Sequence, residues 1–208
     1  MFRILTQATA ALVILFWSGA GPAESKSWYQ SAAEVWIQHF KPQQIDLIIK
    51  TKVMIPMRDD TRLAADVYRL PLQNGPVVLV RTPYGRGEVE QIGQVLPFLG
   101  YVFVSQDMRG QGESEGEARV YMDDGWGLDP SGMHWDGYDT VEWIAGQSWC
   151  NGQVGMMGAS ASGIAGYLAA GSHTPHLKCV VSLVAASDLY HDAAHTGGGF
   201  RKSLWRIG

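Results

Sequence analysis

Charge is scarce in this 208-residue chain: Asp, Glu, Lys and Arg make up 17% of it, and the formal net charge is −4. It has no run of Lys and Arg, so the electrostatic footprint of a nucleic-acid binder is absent. Cysteine is nearly missing, with 2 residues, Cys150 and Cys179. Those are too few for a disulfide scaffold, and no Cys/His spacing resembles a zinc site. Apolar runs are too short for a multi-span membrane protein, and no internal repeat is present. Small and apolar residues, by contrast, are abundant: 46% hydrophobic, 25 Gly and 8 Trp. That composition excludes global disorder and suits one well-cored α/β domain.

Residues 1–23 have the layout of a secretory signal peptide. Arg3 supplies a positive start, Ala8 to Trp17 is apolar apart from Thr9, and small residues follow through Ala23. Cleavage after Ala20 or Ala23 fits the pattern. The apolar stretch, about 10 residues, is well short of the roughly 20 that a membrane span needs. The expectation is therefore a secreted or periplasmic protein, with residues 24–208 as its domain and no stable span once the signal is removed. In an oxidising compartment Cys150 and Cys179 could pair, but two separately buried thiols are the favoured reading.

Further along, Trp28 to Phe40 places Ala32, Ala33, Trp36, Ile37 and Phe40 at helical spacing, which reads as a core-facing helix. Ile45–Pro56 and Thr61–Leu70 flank a polar turn, Met57 to Asp60, and read as a hairpin. Four short apolar strands follow, at Pro76–Val80, Tyr101–Val104, Met156–Met157 and Cys179–Val184. Helical patterns lie between them: Val89–Phe98 weakly, Tyr138–Ala145 clearly, and Ser162–Ala170. Such alternation predicts a mostly parallel sheet with helices on both faces. The Gly- and Asp-rich stretch Glu113–Met133 reads as a long loop.

The chemistry concentrates in Val154-Gly155-Met156-Met157-Gly158-Ala159-Ser160-Ala161-Ser162-Gly163. A serine hydroxyl is a weak nucleophile unless it is exposed, aligned and beside a base. A tight strand-to-helix turn exposes it, provided the residues two before and two after are small. Here they are Gly158 and Ser162. The same turn would aim the Ala161 N–H at a developing oxyanion. The bland reading of this segment is a Gly-Ser helix cap. A second segment, Asp107 to Gly116, follows a strand with glycines at 110, 112 and 116. That spacing misses the dinucleotide fingerprint, and an acidic loop follows instead of a helix. Asp107 and Arg109 read as a structural pair within that loop. A third segment, Arg81-Thr82-Pro83-Tyr84, follows an earlier strand and can share a crevice with Ser160, because ligands bind at the carboxyl ends of such strands. Its tyrosine hydroxyl could then donate to an oxyanion.

Taken in order, Met57-Arg58-Asp59-Asp60-Thr61-Arg62-Leu63, Asp66-Val67-Tyr68-Arg69, Arg81-Thr82-Pro83-Tyr84, Gln106 to Gly116, Asp136 to Ile144 and Trp149 to Gly163 resemble the CocE/NonD hydrolases. That group includes the Xaa-Pro dipeptidyl-peptidase-like and α-amino-acid ester hydrolases. The resemblance covers roughly residues 45–205. It implies an α/β-hydrolase fold, incomplete at the C-terminus, with Ser160 as nucleophile, Tyr84 as side-chain oxyanion donor and Ala161 as backbone donor. No cofactor is implied. The expected substrate is a small-molecule ester or amide, or a short peptide, cleaved through an acyl-enzyme.

Two departures stand out. The family pattern G-x-S-Y-x-G has Ala161 and Ser162 in its middle here, which removes an aromatic wall from the pocket. Asp60 replaces a turn glycine, at a strain cost if that position needs positive φ. In this fold the triad runs Ser, acid, His. Asp188, His191, Asp192 and His195 follow the last strand; Asp192 and His195 keep that order, yet three positions cannot span two strand loops. The expectation is an N-terminal part of a longer hydrolase, with acid and histidine beyond Gly208. Two rival readings are a non-catalytic remnant that binds a ligand or partner, and a metal-assisted hydrolase using Asp123, Asp124, Asp129 and His134.

Overall fold

A computed structural model describes residues 46–119, 121–124, 135–188, 190, 191, 195 and 198–200. The signal segment, the Trp28–Phe40 helix, Asp129, His134 and Asp192 lie outside the described residues.

Six strands form one sheet: β1 (Ile49–Pro56), β2 (Arg62–Arg69), β3 (Gly75–Thr82), β4 (Val102–Asp107), β5 (Cys150–Ala159) and β6 (Leu177–Leu183). Their spatial order is β1-β2-β4-β3-β5-β6. β1 and β2 form the expected antiparallel hairpin, and β2 runs antiparallel to β4. β4, β3, β5 and β6 are mutually parallel. The sheet is thus mostly parallel, as its short apolar strands imply.

Period-2 alternation divides the side chains between two cores. Leu63, Ala65 and Val67 of β2, Val77 and Leu79 of β3, Val102 and Val104 of β4, and Val154 and Met156 of β5 bury together on one face. Helix α2 (Asp136–Ala145) covers that face with Val141 and Ile144, and α3 (Ala161–Gly171) with Ala169. The opposite face carries Tyr68, Val80 and Phe103, capped by Val89, Ile92 and Leu96.

That second cap is not the single helix expected over Val89–Phe98. It is a 3₁₀ turn (Arg86–Val89), one α-helical turn α1 (Glu90–Gly93) and a second 3₁₀ turn (Leu96–Leu99). Pro97 cannot donate to the carbonyl four residues back and its ring would clash there. Gly93 faces the Tyr68 ring, where a Cβ would come within 2.6–2.8 Å.

The cysteines need one correction. Both are free, but Cys179 is exposed rather than buried. Register sets Cys179 beside Gly155, whereas Cys150 sits beside Gly75. Five residues of strand, roughly 16 Å, separate them, far beyond disulfide reach.

Candidate active site

β3 and β5 lie side by side, while the chain between them passes through β4 on the other flank of β3. The order of strands reverses there, and the carboxyl ends of β3 and β5 open onto one crevice. Thr82 and Tyr84 rise from the end of β3, and Ser160 from the end of β5. All three line a cavity of about 210 Å³, together with Val80, Val89, Ile92, Met157 and Glu88.

Ser160 stands between β5 and α3 with φ 53 and ψ −122, a region that L-residues avoid. Its backbone is held from both sides. The Ser160 N–H donates to Leu183 O at 2.9 Å, and its carbonyl accepts the N–H groups of Gly163 and Ile164, each at 3.0 Å. The small neighbours are sterically required: a Cβ on Gly158 would lie 2.5 Å from the Ser162 carbonyl carbon. Ser160 itself is exposed. Ala161, buried, is the first residue of α3, where an N–H has no intrahelical partner.

Tyr84 is 55% exposed, and its N–H is held by Thr82 Oγ1 at 3.1 Å. Tyr121 lies nearby. Burial first, and then the neighbouring Tyr84 and Asp124, push the Tyr121 hydroxyl up to about 12.

Below the crevice, buried ionic groups tie the carboxyl ends of the strands together. Arg81 is fully buried; its Nε donates to Gln106 Oε1 at 2.8 Å, and it forms an ion pair with Asp124. Asp124 also accepts the Gly137 N–H at the start of α2, at 3.0 Å. An arginine near the end of an otherwise apolar strand needs a buried partner, and that is the signal in the sequence that could have flagged Arg81, though not Asp124 as its acid.

Asp107 and Arg109 do not pair with each other, contrary to expectation. Arg109 reaches Asp59 at 2.7 Å and Asp136 at 2.6 Å, while Asp107 holds Arg86. Asp107 ends a strand and Arg109 follows in the turn, so the two side chains diverge. Asp123 and Asp124 are buried in ion pairs with Arg119 and Arg81, and among the described residues no group of three His, Cys, Asp or Glu could hold a metal.

The four described histidines lie away from the cavity: His173 is exposed in the turn after α3, and the other three have partners elsewhere. His176 Nδ1 lies 2.8 Å from Glu142, and His191 Nδ1 lies 2.8 Å from Asp188. His195 stacks on Tyr190 at 4.2 Å. None of them lines the Ser160 cavity.

Residues 59–206 match the family model of X-Pro dipeptidyl-peptidase (S15 family). The chain belongs to this family. Among relatives of this X-Pro dipeptidyl-peptidase family chain, the cocaine esterase of Rhodococcus sp. (strain MB1 Bresler) is 40% identical over 159 residues. That match covers 73% of the chain and 26% of the esterase. An α-amino acid ester hydrolase structure shares 32% identity with a TM-score of 0.57, covering 68% of this chain and 26% of that one. A CocE/NonD family hydrolase from Staphylococcus aureus, at 23% identity and TM-score 0.59, covers 69% of this chain and 28% of its own, and shares the fold. The chain therefore spans about a quarter of the length of the curated relatives it matches. Its fold is that of the α/β-hydrolases, and its family is one of esterases and peptidases.

Proposed function

We propose that the chain carries the nucleophile and oxyanion half of an exported serine hydrolase that cleaves esters or amides. The observation that carries this reading is Ser160: exposed, strained at φ 53, and set where β5 meets α3 in a cavity that it shares with Tyr84. In this reading the Ser160 hydroxyl attacks the scissile carbonyl and its proton passes to a histidine base. The oxyanion accepts hydrogen bonds from the Ala161 N–H and the Tyr84 hydroxyl. The leaving group departs with that proton, and water then cleaves the acyl-enzyme. The aliphatic wall of Val80, Val89, Ile92 and Met157 suits an apolar substituent on a small ester, amide or short peptide.

The acid and histidine are proposed to come from further chain of a longer polypeptide, a reading supported by the quarter-length match to the relatives. A second reading has one observation in its favour: no described histidine lines the cavity. A chain without a base would bind a ligand or partner without turnover.

The test is labelling with a fluorophosphonate and hydrolysis of p-nitrophenyl esters, in the 208-residue chain and in any longer polypeptide that carries it. The longer form should label at Ser160 and lose turnover in Ser160→Ala. The 208-residue chain should hydrolyse little, because a triad acts as a unit. Turnover by the 208-residue chain that is lost in both Ser160→Ala and His195→Ala would place a complete site within these residues. Export is tested separately, by sequencing the N-terminus of the mature protein.

A further inference from the structure

The loop after β4, with its glycines at 110 and 112, plays no part in the reading above, yet it grips the loop that bears Tyr84. Asp107 is buried at the end of β4. Its Oδ1 accepts the Arg86 backbone N–H at 2.5 Å. Its Oδ2 accepts the Arg86 guanidinium and the Glu113 N–H at 3.1 Å. Gly112, at φ 53, makes room for this, since a Cβ there would sit 2.3 Å from Oδ2. Arg86 extends further: its Nε lies 3.1 Å from Asp66 on β2, and it pairs with Glu113. Glu113 in turn meets Lys52 of β1 at 2.9 Å.

Arg86 stands two residues after Tyr84. On the other side of Tyr84, the Thr82 carbonyl accepts the Met108 N–H at 3.0 Å. Both flanks of the tyrosine are thus fixed to the end of β4 and its loop. The ring is more than half exposed, so side-chain packing does little to hold it, and its placement is inherited from the backbone. Charge-assisted bonds to a largely buried guanidinium are among the stronger means of holding a loop.

We propose that Arg86 is a positioning residue which, through Asp107, holds the Thr82–Val89 loop so that Tyr84 stays beside Ser160. The functional meaning rests on the proposed oxyanion role of Tyr84, but the positioning itself does not. It is read without turnover, in the 208-residue chain labelled with 3-fluorotyrosine, the Tyr84 resonance being assigned by its loss in Tyr84→Phe. Hydrogen exchange over residues 84–88 is followed in parallel by mass spectrometry.

In Arg86→Ala, exchange over 84–88 should quicken about tenfold or more. The Tyr84 resonance should move towards that of free fluorotyrosine, while β5 and α3 keep their protection. Arg86→Lys should recover part of the effect, because an ammonium restores charge without the planar fork. Asp107→Asn, nearly isosteric, is read in the same way if Arg86→Ala does not fold. An unchanged loop and resonance overturn the proposal, and so does an equal loss of protection in the loop and α3, which would make Arg86 a general stabiliser. In an active longer form, a Tyr84→Phe variant with undiminished turnover would remove the oxyanion reading and leave the positioning result intact.

Discussion

Ser160 is held in a conformation that costs on the order of 1–3 kcal/mol for an L-residue, and three backbone hydrogen bonds oppose its relaxation. Glycine takes positive φ at little cost. Ser160→Gly should therefore raise stability to chemical denaturation by roughly 1–2 kcal/mol, even as it abolishes labelling. Loss of stability in that variant would mean that the turn is not strained. Tyr84→Phe should leave stability unchanged, because the ring is largely exposed, and should slow acylation of Ser160 by about 10²–10³-fold in an active form. The Ser160 turn was legible in the sequence because its sterics are local: Gly158 and Ser162 are near neighbours of the serine. The ionic groups around it were not. Arg86 and its partner Asp107 are 21 positions apart, and Arg81 and Asp124 are 43 apart. Nothing along the chain says which acid meets which base.

The β1–β2 turn shows how such long-range pairs set an element's position. Asp60 has φ 64, so a turn position suited to glycine is occupied by aspartate at some strain. Two arginines compensate by clamping the turn onto the start of α2. Arg58 pairs with Asp139 at 2.7 Å and stacks on Trp135 at 4.9 Å, while Arg109 bridges Asp59 and Asp136. Burial works against the Asp59 carboxylate, but the Arg109 hydrogen bonds and charge outweigh it, and the carboxyl is held at about 2. Its folded value lies below the unfolded one near 3.8. The stabilisation is therefore full above pH 4 and lost as the pH falls from 4 to 2, roughly 2 kcal/mol in all. Burial moves Asp136 upward despite Arg109, so its protonation acts in the opposite sense. Thermal unfolding of the chain and of Asp59→Asn should separate the two: the variant should lose less stability between pH 4 and 2, and parallel curves would remove Asp59 from the account. The hairpin and both long helices were readable from periodicity. The Val89–Phe98 segment was not, because its apolar spacing is helical while Pro97 forbids a continuous helix.

At the scale of the molecule, alternating apolar strands and helices announced a parallel sheet, but not the order β4-β3-β5 that brings Tyr84 and Ser160 to one crevice. Strand order depends on which way each connection crosses, and local pattern carries little of that. The same order leaves β1 and β6 as the sheet's outer strands, and the two differ. β1 carries Lys50 and Lys52, both partly exposed and ion-paired, and lysines on an edge discourage pairing with another chain. β6 has one lysine, Lys178 near its start, but then carries exposed Cys179 and Val181, and Val184 just beyond it is 93% exposed. An apolar edge with unpaired backbone groups is a template for association. The 208-residue chain should accordingly self-associate as its concentration rises, measured by sedimentation velocity under reducing conditions so that Cys179 cannot cross-link. Val181→Lys should shift that association to at least about tenfold higher concentration without changing the far-ultraviolet circular dichroism. A charge reversal on β1, Lys52→Glu, should not mimic it. A chain that stays monomeric throughout, or one whose association ignores Val181→Lys, would mean that the β6 edge is not the sticky surface.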